Sequence, residues 1–247
     1  MISPGAIRLL NLGPTAWART QSVYQATAEL LPAGTPGAVI FAQSLHPYLS
    51  HGVQQFASET FDLAACERLG LPVVRRPFPG DAEYCDAHHL LFQWVLSSAA
   101  NGQAQRSIAA AVVSALGELG VLADFDGAAQ FNVKGARLGT LAGGRLEPAT
   151  VLLGCLYFAY DPGPLAQTLC EPRLEHVTSL WAEAPRPLSP EIVQAVLLTH
   201  FAGALGRSIE RDTPRVPETR AARKIEQSLL GVELEELPPE ETELAGH

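Results

Sequence analysis

The most informative segment of the chain is Val73-Val74-Arg75-Arg76-Pro77-Phe78-Pro79-Gly80-Asp81-Ala82-Glu83-Tyr84-Cys85-Asp86. It begins with β-branched residues, which favour a strand, and this strand leads into two adjacent arginines. The proline and glycine residues that follow indicate a turn. The chain then returns along a segment that ends at an acidic residue. The pattern predicts a strand, a turn and a return segment, with two cations beside the turn.

The composition limits the class of protein. The chain has 247 residues, of which 47% are hydrophobic and 17% are charged. These values are typical of one large globular domain, or of a main domain with a small appendage. No apolar run reaches the roughly 18 residues that a membrane helix needs. Residues 1–6 lack the basic and apolar regions of a secretory signal. We therefore expect no membrane partner and a cytoplasmic location.

The charge and the cysteines exclude further classes. The formal net charge is −9, which argues against a nucleic acid partner because phosphate binding needs a basic face. The cysteines show no CxxC spacing, which argues against a zinc site and a secreted disulfide framework. The adjacent pair His88-His89 would face opposite sides of a strand. We predict reduced thiols and no metal site. The cysteines are Cys66, Cys85, Cys155 and Cys170.

Hydrophobic periodicity and turn residues predict an α+β fold. A hairpin with a glycine-containing turn is predicted over 129–141. Because hairpins outnumber strand–helix alternations, we expect a mixed, mostly antiparallel sheet flanked by helices. The predicted strands span 7–12, 39–43, 48–52, 72–76, 90–96 and 151–160, and the predicted helices span 16–31, 61–69, 107–119, 190–205 and 218–230.

The composition of the chain changes near its C-terminal end. We predict a main domain over 1–211, followed by a C-terminal helix and an acidic tail over 212–247. Residues 233–243 are acidic and contain proline. Such runs are usually solvated or disordered, so we expect part of this tail to be disordered.

Several sequence blocks occur in the order found in one known family. Arg75, Arg76, Gly80 and Asp86 match that family's motif of two arginines, a glycine-rich turn and an acidic residue. The other blocks are 47–55, 132–139, 153–161 and 177–180. Together they resemble the lipoate–protein ligase and octanoyltransferase family of the biotin/lipoate ligase superfamily. The resemblance implies a class II biotin/lipoate ligase-like catalytic domain that moves an acyl group to a carrier-protein lysine.

The resemblance also implies the residues of the site. Arg137 occupies the position of the family's catalytic lysine, and Cys85 occupies that of a histidine. Both are candidate catalytic residues. The acyl or ligand pocket is predicted to contain Arg75, Arg76, Gly80, Asp86, Gly139, Gly154 and Cys155.

Each catalytic candidate has a structural alternative. Arg137 keeps a positive charge but cannot release a proton at neutral pH, so it could bind a carboxylate or an oxyanion without acting as a base. Alternatively, Arg137 is an exposed hairpin residue, or Lys134 replaces the lysine. A thiolate at Cys85 or Cys155 beside an arginine would have a lowered pKa and would be nucleophilic. The alternative for both cysteines is a thiol buried in the core.

Two departures from the family pattern argue against ATP binding. Pro79 stands where glycine is usual and removes a backbone N–H donor. Asp81 adds a negative charge near the place where phosphate would lie. ATP-dependent ligation is therefore disfavoured.

Two function hypotheses remain. The first is an enzyme, a lipoyl or octanoyl transferase or ligase, which uses lipoate or octanoate. Its implied partner is a lipoyl-carrier domain of the glycine cleavage H protein or 2-oxoacid dehydrogenase E2 type. The second is a catalytically inactive homologue that binds a lipoyl domain or an acyl ligand as a partner or regulator. The exchange of lysine for Arg137 is the feature that separates them.

Overall fold

A computed structural model describes residue 3 and residues 5–97, 102–171 and 176–231. The predicted acidic tail, 233–243, lies outside the described residues. The strands are β1 (Ile7–Thr15), β2 (Gly37–Ser44), β3 (Tyr48–His51), β4 (Val73–Arg75), β5 (Glu83–Cys85), β6 (His89–Ser97), β7 (Asp124–Phe125), β8 (Gln130–Val133), β9 (Ala136–Leu146), β10 (Ala149–Tyr157) and β11 (Ile209–Asp212). The helices are α1 (Trp17–Glu29), α2 (Ala57–Thr60), α3 (Leu63–Arg68), α4 (Gly102–Glu118), α5 (Gly163–Thr168), α6 (Leu180–Glu183), α7 (Pro190–Leu205) and α8 (Val216–Leu229).

A large sheet has the strand order β11-β1-β2-β6-β10-β9-β8-β7. Strand β1 runs parallel to both of its neighbours, β2 and β11. The other neighbouring strands are antiparallel. A small sheet has the order β4-β3-β5. The predicted α+β fold with a mixed, mostly antiparallel sheet flanked by helices is therefore confirmed.

Helices α4 and α7 pack against each other and cover one face of the large sheet. Their buried side chains meet the apolar side chains of the central strands. Phe201 of α7 packs edge-on against Trp94 of β6, with 5.0 Å between the ring centroids. Burial of such large aromatic side chains supplies much of the hydrophobic stabilisation of a domain.

The opposite face of the large sheet is covered by α1 and by the small sheet. Helix α1 contacts β2, β6 and β10, and α8 packs on its outer side. A buried cluster that includes Val23, Tyr24, Ile40, Val95 and Val151 joins α1 to the sheet. The small sheet lies beside α1 on this face, where Tyr48 packs with side chains of β6 and β10. The space that remains between the two sheets contains the site described below.

Several predicted element boundaries were wrong, each for a local reason. Strand β1 does not end at residue 12, because a bulge between Asn11 and Gly13 lets the strand continue to Thr15. Gly13 has a φ of 58°, which glycine adopts without strain. The predicted strand 151–160 ends at Tyr157, after which the backbone N–H of Phe158 donates to the carbonyl of His88 outside the sheet ladder.

The predicted helix over 61–69 was wrong at its start. Phe61 is buried and forms a β-bridge with Leu169. The helix begins only at Leu63, after Asp62, whose side chain accepts a hydrogen bond from the backbone N–H of Ala65 at 3.0 Å. An aspartate in this position caps a helix N-terminus. The short strands β7 and β11 and the helices α2, α5 and α6 were not predicted, whereas the short strand β5 lies in the predicted return segment after the turn.

The remaining helices agree with the sequence more closely. Helix α7 has the predicted bounds, and Ser189 caps it by accepting from the N–H of Ile192. Helix α4 starts five residues before the predicted residue 107, because its first turn is polar and shows no apolar periodicity. Helix α8 spans Val216–Leu229, close to the predicted 218–230.

A buried ion-pair network joins the C-terminal elements to β1. Arg8 is 5% exposed and Glu218 is 3% exposed. The Arg8 guanidinium donates to both Glu218 carboxylate oxygens, at 2.5 and 2.8 Å, and to Asp212 at 2.6 Å. The division of the chain between 211 and 212 stays a prediction, and this network crosses it.

Removal of the Glu218 carboxylate should destabilise the fold strongly. We expect Glu218→Ala to lower the free energy of unfolding by about 3 kcal/mol, because it leaves a buried guanidinium with fewer partners. The matched control is Glu226→Ala, which breaks the partly exposed pair with Arg19, 3.1 Å apart. That change should lower the free energy of unfolding by less than about 1 kcal/mol. Urea unfolding of both variants measures the difference, and equal losses would contradict the structural role of Arg8.

Candidate functional site

A cavity of about 780 Å³, including its open mouth, lies between the large and small sheets. Strands β6, β9 and β10 form its floor. Loop 76–81 and strands β3 and β5 form its roof, and α1 closes one side. The lining residues are Gln21, Tyr48, Ser50, Arg76, Phe78, Pro79, Gly80, Asp81, Glu83, Cys85, Leu91, Gln93, Ala129, Gln130, Arg137, Thr140, Ala142, Leu153, Gly154 and Cys155.

Arg76 is the cation of the predicted motif that lines the cavity. Its side chain is 9% exposed, and its guanidinium donates to Ser50 Oγ at 2.6 Å and to the carbonyl oxygen of Asp81 at 2.7 Å. The carboxylate of Glu83 lies 3.7 Å from the same guanidinium. These contacts connect the loop 76–81 to the small sheet and fix a positive charge at the cavity wall.

Arg137 is the second cation that lines the cavity. It is 8% exposed, so the alternative of an exposed hairpin arginine is wrong. Its guanidinium lies over the ring of Tyr157, 5.8 Å from the ring centroid, which is a cation–π geometry. Lys134 does not share this position: it lies in the β8–β9 turn, its side chain is 87% exposed, and it is 3.6 Å from Glu183. The hypothesis that Lys134 replaces the family's lysine is not supported by this placement.

Three predicted glycines allow close approach of neighbouring groups. Gly80 lines the cavity with a φ of 145°, and a side chain there would lie 2.9 Å from the Arg76 guanidinium. A Cβ at Gly154, also in the lining, would lie 2.1 Å from the Phe92 ring. Gly139 lies outside the lining, and its Cβ would lie 2.2 Å from the carbonyl oxygen of Cys155. Gly139 is therefore required by the close packing of β9 against β10 and not by contact with the cavity.

The structure does not bring Arg75 or Asp86 into the cavity. Arg75 is exposed and donates to the carbonyl of Val53 at 2.5 Å. Successive residues of an extended segment point to opposite sides, so only Arg76 of the arginine pair faces inward. Asp86 accepts from the backbone N–H of His88 and lies 2.7 Å from Nδ1 of His89, at the start of β6. Their predicted ligand-binding roles have no geometric support.

The two predicted site cysteines lie side by side in the cavity wall. Cys85 and Cys155 are both buried and belong to one cluster of buried side chains. Burial and the neighbouring thiol raise the pKa of Cys155 well above its ordinary value, although Arg137 acts in the opposite direction. The expected lowering of a thiol pKa by an adjacent arginine is therefore wrong for Cys155, which is held as a neutral thiol.

Sequence reasoning missed the polar residues that α1, the small sheet and β6 add to the cavity. Gln21 donates to the hydroxyl of Tyr48 at 2.9 Å, and both side chains are buried. Glu83 adds a carboxylate and Gln93 adds an amide. The signal for Gln93 was available, because it is a polar residue inside the apolar run of β6. The placement of Gln21 and Glu83 at a common cavity had no signal in the sequence.

Two further observations concern metals and membranes. Within the described parts of the chain, no group of three His, Cys, Asp or Glu side chains is placed to hold a metal ion. Of the helices described, none is both long and apolar enough to cross a membrane.

The chain matches a known family, and its fold is similar to those of solved structures. A family model described as the lipoyl protein ligase A/B catalytic domain matches residues 14–202. A lipoate-protein ligase A solved with ATP is 21% identical, with a TM-score of 0.80 over 90% of this chain and 94% of its own. No curated protein matches the chain significantly by sequence.

Two solved structures from Thermoplasma acidophilum are also similar. One, solved with bound lipoic acid, is 22% identical with a TM-score of 0.78 over 90% of this chain and 95% of its own. The other is a bi-partite lipoate protein ligase described with its E2 lipoyl domain. It is 22% identical with a TM-score of 0.80 over 94% of this chain and 99% of its own. At these identities the likeness shows a shared fold.

The chain thus has the fold of the biotin/lipoate ligase superfamily, and within it belongs to the lipoyl protein ligase A/B catalytic domain family.

The cysteines should differ sharply in reactivity. Cys170 is exposed, whereas Cys66, Cys85 and Cys155 are buried, and burial raises the pKa of Cys66 and Cys155. Only the thiolate reacts, so iodoacetamide at pH 7.5 should modify one thiol quickly and three only on unfolding. Peptide mass mapping identifies the sites, and Cys170→Ser should remove the fast reaction. Fast modification of Cys155 in the folded protein would contradict this assignment.

Asp86 should contribute stability that depends on pH. Burial opposes its ionisation, but the hydrogen bond and electrostatic attraction of His89, together with the N–H and electrostatic attraction of His88, outweigh burial and lower the pKa of Asp86 to about 2. Because this pKa is below that of the unfolded chain, the contribution of roughly 2 kcal/mol is present above about pH 4 and disappears as the pH falls toward 2.

The difference in unfolding free energy between the natural protein and Asp86→Asn should therefore be present at about pH 4 and shrink as the pH falls toward 2. Denaturant titrations at several pH values measure it. Asp161→Asn, which changes an exposed turn carboxylate, serves as the control. A difference for Asp86→Asn that stays constant down to pH 2.5 would contradict the prediction.

Proposed function

We propose that this protein binds a lipoyl or octanoyl group in the cavity and transfers it to a lysine of a lipoyl-carrier domain. The observation that carries this proposal is the placement of a buried guanidinium, that of Arg137, in the wall of a cavity with a largely apolar floor. A carboxylic acid or an acyl group with a medium-length chain has this same division between a polar head and an apolar tail.

The apolar part of the cavity suits the acyl chain. Leu91, Ala142 and Leu153 lie on neighbouring strands of the floor, and Phe78 lies in the roof. Burial of a hydrocarbon chain against such side chains contributes about 0.8 kcal/mol for each CH₂ group. The bound lipoic acid of the T. acidophilum relative supports an acyl ligand of this kind.

The polar part of the cavity suits transfer from a preformed acyl donor, such as a thioester. The lysine amine forms a bond to the acyl carbon, the carbon–sulfur bond breaks, and the thiolate leaves. Arg137 donates to the carbonyl oxygen as negative charge develops on it. Arg137 cannot accept a proton. In this proposal Glu83, which lies in the roof of the cavity 3.7 Å from Arg76, accepts the proton that the lysine loses.

The residues of loop 76–81 fit ATP poorly. A phosphate-binding turn depends on backbone N–H groups that approach the anion. Pro79 has no N–H, and Asp81 adds a carboxylate to the cavity lining. We therefore propose an acyl donor other than an adenylate made by this chain, although one relative is described with bound ATP.

The proposed partner is a lipoyl-carrier domain of the E2 or glycine cleavage H protein type. The relative described together with its E2 lipoyl domain supports this class of partner. We also propose a cytoplasmic location, which agrees with four cysteines that all remain free thiols.

One observation favours a second candidate function, a catalytically inactive homologue that binds a lipoyl domain or an acyl ligand. Arg137 replaces a lysine that can change its protonation state. An arginine at this position can still hold a carboxylate through two parallel hydrogen bonds. Binding would then persist without transfer.

The intact mass of a lipoyl-carrier domain after incubation with this protein distinguishes the two functions. One reaction supplies octanoate or lipoate with ATP, and the other supplies an octanoyl thioester. We expect the octanoyl mass shift with the thioester. Glu83→Gln should slow the transfer at least tenfold, since general base catalysis typically contributes about 10²-fold or more. The control is Arg145→Lys, because Arg145 is an exposed arginine of β9 outside the cavity.

The same experiment with Arg137→Lys separates the outcomes. A shift with the natural protein would establish the enzyme, and a shift only with ATP would establish a ligase. A shift only in Arg137→Lys would establish an inactive homologue with an intact cavity. No shift in any reaction, together with measurable octanoate binding, would leave the binding function and refute transfer.

A further inference from the structure

Gln93 is a polar side chain in an apolar part of the cavity. It lies in the middle of β6, and its neighbours on the adjacent strands are Ile40 of β2 and Leu153 of β10. Along β6 the residues on the same face are Leu91 and Val95. Gln93 is 2% exposed and lines the cavity. An amide in such a position carries a desolvation cost unless its polar atoms have partners.

One hydrogen bond fixes the orientation of the Gln93 amide. Its Nε2 donates to the carbonyl oxygen of Thr20 in α1 at 2.8 Å. Exchange of the two amide atoms would place Oε1 against that carbonyl oxygen, and two acceptors repel each other. The cavity is therefore left with the acceptor, Oε1.

Oε1 of Gln93 has no hydrogen-bond partner among the described residues. The other buried polar groups nearby are engaged elsewhere. The Nε2 of Gln21 donates to the Tyr48 hydroxyl at 2.9 Å, and the Thr20 hydroxyl donates to the carbonyl of Trp17 at 2.6 Å. A buried acceptor without a partner is costly, and a donor on a bound ligand would remove that cost.

Gln93, which carries the acceptor Oε1, lies well apart from Arg137, the cation that receives the polar head of the ligand in the proposed function. Arg137 lies over Tyr157, and Tyr157 is four residues along β10 from Leu153, the cross-strand neighbour of Gln93. At about 3.3 Å per residue, Leu153 and Tyr157 are about 13 Å apart along β10. A ligand whose head meets Arg137 would reach Gln93 with its chain, not with its head.

We propose that the ligand of this cavity is a carboxylic acid, or its acyl derivative, that carries a hydroxyl or N–H donor on its chain, which Gln93 Oε1 accepts. This inference rests on the acyl-binding part of the proposed function and changes the chain of the acyl group, because neither a lipoyl nor an octanoyl chain carries such a donor. A plain hydrocarbon chain such as that of octanoate fits the apolar floor but leaves Oε1 without a partner. A site built to hydrogen-bond a substrate group discriminates against analogues that lack it.

Isothermal titration of the whole protein with matched acids tests the proposal. The probes are octanoate, the 6-, 7- and 8-hydroxyoctanoates, and 6-acetamidohexanoate, so that O–H and N–H donors are separated and the donor is moved along the chain. We expect at least one donor-bearing acid to bind about fivefold or more tightly than octanoate. In Gln93→Met, which keeps the length and removes the acceptor, this preference should vanish or reverse.

Two controls keep the result independent of folding. Gln25→Met changes a glutamine of α1 that donates to the carbonyl of Gln21 and lies outside the cavity lining, and it should keep the preference. Gln93→Leu is a second apolar variant, and only the ratio of affinities within each folded variant is compared. Circular dichroism and the melting temperature establish that each variant is folded.

The outcomes separate the inference from the function on which it rests. If octanoate binds as tightly as every donor-bearing acid, or if the preference persists in both Gln93 variants, the inference is overturned and the acyl-binding function stands. If none of the acids binds although the thioester still gives the octanoyl mass shift, the inference alone is overturned. If none of the acids binds and no mass shift occurs, the proposed function fails and the inference fails with it.

Discussion

The hydrogen bonds of the Arg76 guanidinium hold the site together. They join Ser50 of the small sheet to the carbonyl of Asp81, while the backbone N–H of Arg76 donates to the carbonyl of His51 at 2.8 Å. Loop 76–81 is therefore fixed above the floor of the large sheet and does not collapse onto it. The cavity exists because loop 76–81 is held apart from the floor. A buried guanidinium tolerates this environment only because its donors are paired, and this requirement also sets the path of the loop.

The chemistry of the cavity follows from the charges and polar groups that surround an apolar floor. Arg76 and Arg137 are buried near Tyr48, Tyr157 and the two thiols, and electrostatic interactions between buried groups are stronger than in solution. Glu83 adds a partly exposed carboxylate to the cavity lining. Burial raises the pKa of Tyr48, Tyr157 and Cys155, so these groups remain neutral at physiological pH. The permanent charges are then those of the arginines and carboxylates. This arrangement favours a ligand with an anionic or carbonyl head and a largely apolar chain.

The same folded chain also shows how a family motif can remain in place while its parts take different roles. Arg76 and Gly80 line the cavity, whereas Arg75 bonds to a loop carbonyl and Asp86 bonds to His89 at the start of β6. Arg75 and Arg76 are adjacent in sequence, and the alternation of an extended chain separates them. Gly139 is explained by the close approach of β10 and Gly154 by contact with Phe92, so both are needed for packing whether or not a ligand binds.

The class of fold, most of the long elements and the family can be predicted from the amino-acid sequence, because they depend on patterns within short segments. The periodicity of α7, the apolar run of β6 and the blocks around Arg76 and Gly135 are local signals of this kind. The composition of the site, in contrast, depends on the tertiary structure. It brought Gln21, Glu83 and Gln93 from three separate elements to one cavity, left Asp86 outside it, and buried Cys155 so that its thiol stays protonated. Burial and hydrogen-bond partners are set by residues distant in sequence, and no local pattern specifies them.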